Sequence, residues 1–376
     1  MNETLQYPGR LALQQRLLPA YRAPFFEALA SACTGGLSLF AGQPLPDEQI
    51  APAQSLQVAQ LVQAHNRRLF SPSSPFYQCW QPGILDWLER WQPQALIVEA
   101  NPRYRSTPAA VRWMHARARP VLGWGLGAPP LSGVLAGWRR RSRQGFLRSL
   151  DGVIAYSQRG AQEYRALGFP PQRVFIAPNA VAARPLKPPP ERPVAFDKSP
   201  TVLFVGRLQE RKRIDLLLQA CAALPNELQP RLWIVGDGPE RAKLQSLAAS
   251  LYPQAQFPGA RYGEALEQLF IEADLFALPG TGGLAIQQAM SFGLPVIAAQ
   301  GDGTQDDLVR PENGWRIPQA DLGALAGALR AALSDPLRLR QMGAASYRIV
   351  AQEVNLERMV EAFLQALASV HHNKLS

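Results

Sequence analysis

Four short apolar runs in the second half of the chain, at 201–205, 231–235, 274–278 and 294–298, each stop at a glycine-containing loop that leads into a helix-like segment. Strand, loop and helix repeated in that order leave few folds open, because the pattern belongs to parallel sheets covered by helices on both faces. An earlier series at 95–99, 120–124, 152–157 and 173–179 has the same character. Between the two series lies Arg184-Pro185-Leu186-Lys187-Pro188-Pro189-Pro190-Glu191-Arg192-Pro193, whose closely spaced prolines remove backbone donors and stiffen the chain. The reading is an α/β protein of two domains: 1–183, a Pro-rich linker 184–200, and 201–336, with helices of 337–376 packing back toward the first domain.

A length of 376 residues and a hydrophobic fraction of 47% are enough to fill two cores, so disorder is not expected for most of the chain. No run of about 18 apolar residues is present, and the start, Met1-Asn2-Glu3-Thr4-Leu5-Gln6-Tyr7, lacks the charged and apolar regions of a secretion signal; the expected location is the cytoplasm. Cys33, Cys79 and Cys221 are far apart, without metal-ligand spacing or a disulfide framework, and read as buried thiols.

A formal charge of +10 calls for an acidic partner. The densest cluster is Trp138-Arg139-Arg140-Arg141-Ser142-Arg143-Gln144-Gly145-Phe146-Leu147-Arg148, preceded by Leu131, Val134 and Leu135. It fits a basic amphipathic helix on anionic lipid, and equally a solvated helix face. Nucleic acid is disfavoured, since no helix-turn-helix, zinc or ribonucleoprotein signature accompanies the charge.

The loops after the second set of strands carry the chemistry. Residues 201–212 read Thr-Val-Leu-Phe-Val-Gly-Arg-Leu-Gln-Glu-Arg-Lys, so an apolar strand ends at Gly206 and is followed by Arg207 and Lys212. A glycine there lets backbone approach a ligand, and the planar guanidinium with a mobile ammonium suits phosphate oxygens; a basic surface loop is the plain alternative. Gly236-Asp237-Gly238-Pro239-Glu240 follows the next strand, with Pro239 suited to a first helical position. Pro279-Gly280-Thr281-Gly282-Gly283-Leu284 sets glycines directly before a helix, whose free amides and positive dipole end favour an anion. Gly301-Asp302-Gly303-Thr304-Gln305-Asp306 reads either as a contact to ligand hydroxyls or as a helix cap.

Together these loops resemble the nucleotide-sugar domain of the GT-B glycosyltransferases, specifically the retaining group called glycosyltransferase family 4. The resemblance rests on Gly206-Arg207-Leu208 with Lys212, Gly236 to Glu240, Gly283-Leu284 leading to Gln288-Ala289-Met290, and Gly293-Leu294-Pro295-Val296-Ile297. It continues through Asn313-Gly314 and reaches the first domain at Ile154 to Ser157 and Pro178 to Val181. It implies two Rossmann-like domains facing across a cleft. Arg207 and Lys212 would hold the donor diphosphate and stabilise it as it leaves. The amides of Gly282, Gly283 and Leu284 would cradle the same group, and Gly206, Gly236, Asp237 and Gly238 would line the nucleotide. The implied reaction transfers sugar to an acceptor hydroxyl with retained configuration, and without metal or cofactor.

Two departures stand out. The family's pair of glutamates, one touching the sugar and one the ribose, correspond to Gly280 and Gln288 here; Gln288 can still bond hydroxyls, whereas sugar contact would fall to Thr281 or to backbone amides. A histidine that many members carry in a Gly-His-Gly loop is replaced by Leu126 in Gly125-Leu126-Gly127, and Asp306 stands for a glutamate. His65 and His115 read as helical surface or packing residues, and His371 and His372 as a frayed tail. Glu99 and Arg103, after a first-domain strand, are candidates for the acceptor side, against loop capping or a surface ion pair.

The resulting expectation is a transferase of a hexose or deoxyhexose from a nucleotide diphosphate sugar to a glycan acceptor. The acceptor would be lipid-linked and met at the inner membrane face through Trp138, Arg139, Arg140, Arg141 and Arg143. The competing reading is a catalytically silent scaffold that binds nucleotide sugar or partners an active transferase. An epimerase of the same fold would need acidic groups in the cleft, which the sequence does not identify, and a dehydrogenase would need a Gly-x-Gly-x-x-Gly turn after a first strand.

Overall fold

The computed structural model describes residues 5–372 apart from 46, 47, 49, 72, 73, 75, 134, 197 and 302; Val134 and Asp302, named above, lie outside the described residues. The chain divides into one compact unit of residues 1–181 with 356–376 and another of 182–355.

In the first unit, β1 (Leu11–Leu17), β2 (Leu37–Gly42) and β3 (Gln60–Gln63) precede a hairpin of β4 (Arg67–Leu69) and β5 (Gln78–Trp80). Then come β6 (Ala95–Glu99), β7 (Val121–Gly125), β8 (Gly152–Ala155) and β9 (Val174–Ile176). Seven of these form a parallel sheet in the order β3-β2-β1-β6-β7-β8-β9. Leu96, Ile97 and Val98 are fully buried, as expected for a central strand covered on both faces. The last helix, Leu356–His372, returns to this unit, where Phe363 lies 4.9 Å from Phe25 and 5.1 Å from Trp124 between ring centroids. His371 there bonds the Tyr7 hydroxyl at 2.7 Å, so it is anchored rather than frayed.

The second unit holds β10 (Thr201–Val205), β11 (Arg231–Val235), β12 (Ala255–Gly259), β13 (Leu275–Leu278), β14 (Val296–Ala299) and β15 (Gly314–Ile317). They pair in parallel in the order β12-β11-β10-β13-β14-β15. Counted from β10 this is the third, second, first, fourth, fifth, sixth order of a doubly wound sheet, whose direction of winding reverses between β10 and β13. Ligands of such sheets sit beyond the strand C-termini at that reversal, so the loops after β10 and β13 are where a site belongs.

The Pro-rich stretch forms no helix or strand, yet it is docked on the second unit. Arg192 donates to the carbonyls of Phe270 at 2.8 Å, Ala273 at 2.8 Å and Phe292 at 2.9 Å, at the ends of two helices. Burial and the nearby Arg340 push its pKa down to about 10. The helix Pro336–Gln352 crosses close to Gly293, where a Cβ on Gly343 would lie 2.2 Å from the Gly293 carbonyl oxygen. Asn313 is buried and structural, donating to Leu308 O at 3.0 Å and Ser346 Oγ at 3.2 Å while accepting from the Arg310 amide at 2.6 Å.

Candidate nucleotide-sugar site

The loops after β10 and β13 are clasped to each other. The Thr281 amide donates to Arg211 O at 3.0 Å, Lys212 Nζ donates to Thr281 O at 2.7 Å, and Arg211 Nη1 donates to Thr281 Oγ1 at 3.2 Å. Gly280 explains the closeness: a Cβ there would lie 2.2 Å from Arg211 O and 2.5 Å from Lys212 Cα. Gly282, at φ +129°, leaves room for the ammonium, since its Cβ would meet Lys212 Nζ at 2.3 Å.

The loop after β11 packs on the same segment. Leu208 donates its amide to Asp237 O at 2.9 Å, and a Cβ on Gly236 or Gly238 would lie 1.9 Å from Gly206 O or 2.3 Å from Leu208 O. Both glycines are therefore required by backbone contact whether or not a ligand is near. The helix begins at Arg241, so Pro239 stands in the turn ahead of it and not at its first position. Asp237 is largely exposed, accepting from the Gly238 amide at 2.7 Å and pairing with Arg241 at 3.4 Å.

The two cations are poorly matched by the protein itself. Arg207 Nε is buried and, among the described residues, has no hydrogen-bond partner. Lys212 forms no ion pair there either. Burial, reinforced by the adjacent Arg211, pushes the Lys212 ammonium down to about 8. The helix Leu284–Ser291 starts at Gly283 with no side-chain cap, which leaves its first amides free of an internal competitor. Gln305, buried, donates Nε2 to Gly282 O at 2.7 Å and holds the glycine turn in place, while its buried Oε1 has no partner among the described residues. Asp306 is taken up by Arg316 at 2.9 Å. Arg211 and Gln305 stand out in the sequence only as members of the 201–212 and 301–306 loops; that each ties its loop to the glycine turn is decided by how the loops meet.

The Lys212 shift has a checkable consequence. Since the folded value lies below the ordinary 10.5, the folded chain holds fewer protons than the unfolded one between about pH 8 and 10.5. Stability of the unliganded protein therefore rises with pH through that window, while affinity for a diphosphate falls as pH climbs past 8. Calorimetric titration with a nucleoside diphosphate at pH 7 and pH 9 is expected to show weaker binding at pH 9, a difference that vanishes in Lys212→Arg.

In the first unit the corresponding reversal lies between β1 and β6. Glu99 ends β6, its carboxylate accepting from the Arg16 amide at 2.6 Å, and burial holds its pKa up against the hydrogen bond from Tyr104. Arg103 is exposed, donates to Asn101 Oδ1 at 3.3 Å and lies over the Tyr77 ring. Leu126 is 45% exposed in the loop after β7. His65 lies in the loop between β3 and β4 and not in a helix; His115 ends the helix Thr107–His115 and pairs with Asp151 at 2.9 Å. In the basic helix Ala136–Arg148, Leu147 is buried in the core and not available to lipid, and Phe146, partly buried, packs against it, whereas Trp138 is 69% exposed and Leu135, just before the helix, 50%. Arg143 donates to Pro129 O at 2.7 Å. No helix among the described residues is long and apolar enough to cross a membrane, and among them no three His, Cys, Asp or Glu side chains gather to hold a metal.

Two parallel Rossmann-like sheets of this kind define a GT-B protein. Residues 190–349, under half of the chain, match the family described as glycosyl transferases group 1. Among relatives, it is 40% identical over 127 residues to the GDP-mannose-dependent alpha-mannosyltransferase of Mycobacterium tuberculosis, covering 32% of this chain and 31% of the relative. Over 282 residues it is 24% identical to the lipopolysaccharide core biosynthesis glycosyltransferase LpsE of Rhizobium meliloti, covering 70% and 80% respectively. The alignment thus spans under a third of the first relative and most of the second. Among solved structures, HepE of Anabaena in complex with UDP superposes with a TM-score of 0.68 over 96% of this chain and 99% of that one, at 16% identity, which speaks for the fold alone.

Proposed function

We propose that the protein is a retaining transferase of glycosyltransferase family 4. It would move a hexose or deoxyhexose from a nucleoside diphosphate sugar to a lipid-linked glycan acceptor, in polysaccharide or glycolipid synthesis. The observation that carries this reading is the pair of under-satisfied cations, Arg207 and Lys212, at the winding reversal of the second sheet and beside an uncapped helix start. In the reaction the bond from sugar C1 to the phosphate oxygen breaks and its electron pair leaves with the diphosphate. The two cations and the amides of Gly282, Gly283 and Leu284 meet that charge, the largest contribution such a site can make. The acceptor oxygen bonds C1 as its proton passes to the departing phosphate oxygen. Gly206, Gly236, Asp237 and Gly238 line the nucleotide, Gln288 serves the ribose, Thr281 the sugar, and Glu99 with Arg103 the acceptor. Neither a metal nor an organic cofactor enters this scheme. Trp138 with Arg139, Arg140, Arg141 and Arg143 would meet an anionic membrane surface at the cytoplasmic face.

The backbone filling the place of a side chain at Gly280 favours the second reading, a silent nucleotide-sugar-binding scaffold. Incubation with UDP- and GDP-sugars, with and without a polyprenyl-linked glycan, separates the two. Release of nucleoside diphosphate and a product whose NMR coupling preserves the donor's anomeric configuration are expected. Inversion contradicts the retaining assignment, and binding without release favours the scaffold.

A further inference from the structure

The β4–β5 hairpin of the first unit presents an outward face that no other part of the described chain covers. In its register Arg67 lies opposite Trp80, Arg68 opposite Cys79 and Leu69 opposite Gln78. Since side chains alternate across a strand, one face carries Arg67, Leu69, Gln78 and Trp80 and the other Arg68 and Cys79. The second face is the inner one: Cys79 is buried with Tyr77 and Tyr104. The first is the reverse of ordinary patterning, with Leu69 61% and Trp80 49% exposed. Beyond the strand ends Phe70 and Phe76 are 66% and 58% exposed, their rings 6.2 Å apart. Phe70 is held at φ +64°, a conformation that costs a bulky residue free energy and is kept where it serves a purpose.

Charge identifies the occupant. No Asp or Glu occurs from 66 to 81, Arg67 lies over the Trp80 ring at 5.5 Å, and Arg105, exposed, donates its amide to Cys79 O at 2.8 Å on the opposite side of β5. Aromatic rings set between arginines suit the interfacial zone of a bilayer, where rings lie at headgroup depth and guanidinium groups reach lipid phosphates. We infer that this hairpin is a membrane-docking element that inserts Phe70, Phe76 and Trp80 into the interface of an anionic phospholipid bilayer. The element is separate from the basic helix Ala136–Arg148. The inference does not depend on the transferase reading.

The test is co-sedimentation of the full chain with phosphatidylcholine vesicles, with and without phosphatidylglycerol. Wild type is expected to partition onto the anionic vesicles. Phe70→Ser with Phe76→Ser should weaken partitioning about tenfold or more, the least that removing two inserted rings predicts, and Arg67→Ser with Arg105→Ser should abolish the preference for phosphatidylglycerol. Unchanged sedimentation of the phenylalanine variant overturns the inference. So does a wild type that ignores vesicles and instead forms a dimer abolished by the same substitutions. Should the double variant melt early, the wild type decides: brominated lipid must quench a tryptophan component that is missing in Trp80→Phe, and equal quenching of the two proteins refutes insertion.

Discussion

Replacing Lys212 with alanine is expected to lower the rate of nucleoside diphosphate release from the donor by about 10²- to 10³-fold, the range seen when one charge-stabilising donor is removed. The effect is electrostatic. The diphosphate gains charge as the glycosidic bond breaks, and Lys212 sits where water has been largely excluded, its pKa pushed down to about 8 for that reason. A bound dianion reverses that penalty, and does so more in the transition state than in the ground state. The loss should therefore fall mainly on kcat, with a smaller change in KM. Arg207→Ala is expected to act similarly, since its buried Nε has no partner among the described residues. Steady-state kinetics of the two variants check this, and a change in KM alone would reduce both residues to uniform binding of the donor.

The second large effect concerns Gly280. Restoring the glutamate that family resemblance suggests is expected to damage the protein and not to improve it. A Cβ would lie within 2.2 to 2.5 Å of the Arg211 and Lys212 backbone, which has no soft side chain to yield. Overpacking of this kind costs about 1–3 kcal/mol and sometimes more, which corresponds to a fall of roughly 2–12 °C in the melting temperature of a unit of this size. The clasp that places Lys212 would open as well, so diphosphate affinity should fall together with stability. Gly280→Ala already introduces the clash and should show most of it. Gly327→Ala is the matched control: it lies within the helix Leu322–Leu333 with nothing within 4 Å of the added methyl, so it should be neutral or slightly stabilising. Differential scanning calorimetry of the three variants separates the cases.

The second unit was more legible in the sequence than the first because its central strands are uninterrupted apolar runs. Thr201–Val205 and Leu275–Leu278 can be nothing but covered strands once Gly206 and Gly280 end them. The first unit hides its equivalent strand. β1 reads Leu-Ala-Leu-Gln-Gln-Arg-Leu, and its polar centre is tolerated only because Gln14 donates to Gln81 Oε1 at 2.5 Å and Gln81 donates in turn to Gln15 O at 2.9 Å. Partners 66 and 67 positions away leave no trace in a local pattern. The docked linker is a similar case, since the carbonyls that hold Arg192 come from the ends of two helices, 78 to 100 positions further along the chain.

At the candidate site, the residue types were readable and their relations were not. Gly206, Arg207 and Lys212 announce an anion by composition and spacing, but that Gly280 admits the backbone of Arg211, or that Gln305 holds the Gly282 turn, depends on how two loops meet. The exposure of Leu69 on β4 and Trp80 on β5 was equally invisible, because which face of a three-residue strand turns outward is decided by what the other face packs against.

The central claim is that the second unit binds a nucleoside diphosphate through Arg207 and Lys212. Its most direct test is the melting temperature of the wild type and of the Arg207→Ala and Lys212→Ala variants against a panel of nucleoside diphosphates and their sugars, since a ligand of the native state stabilises it by mass action. The account predicts an upward shift with the nucleotides of one base, lost or greatly reduced in both variants. A wild type that no nucleotide stabilises, or a shift that both variants keep in full, would contradict it.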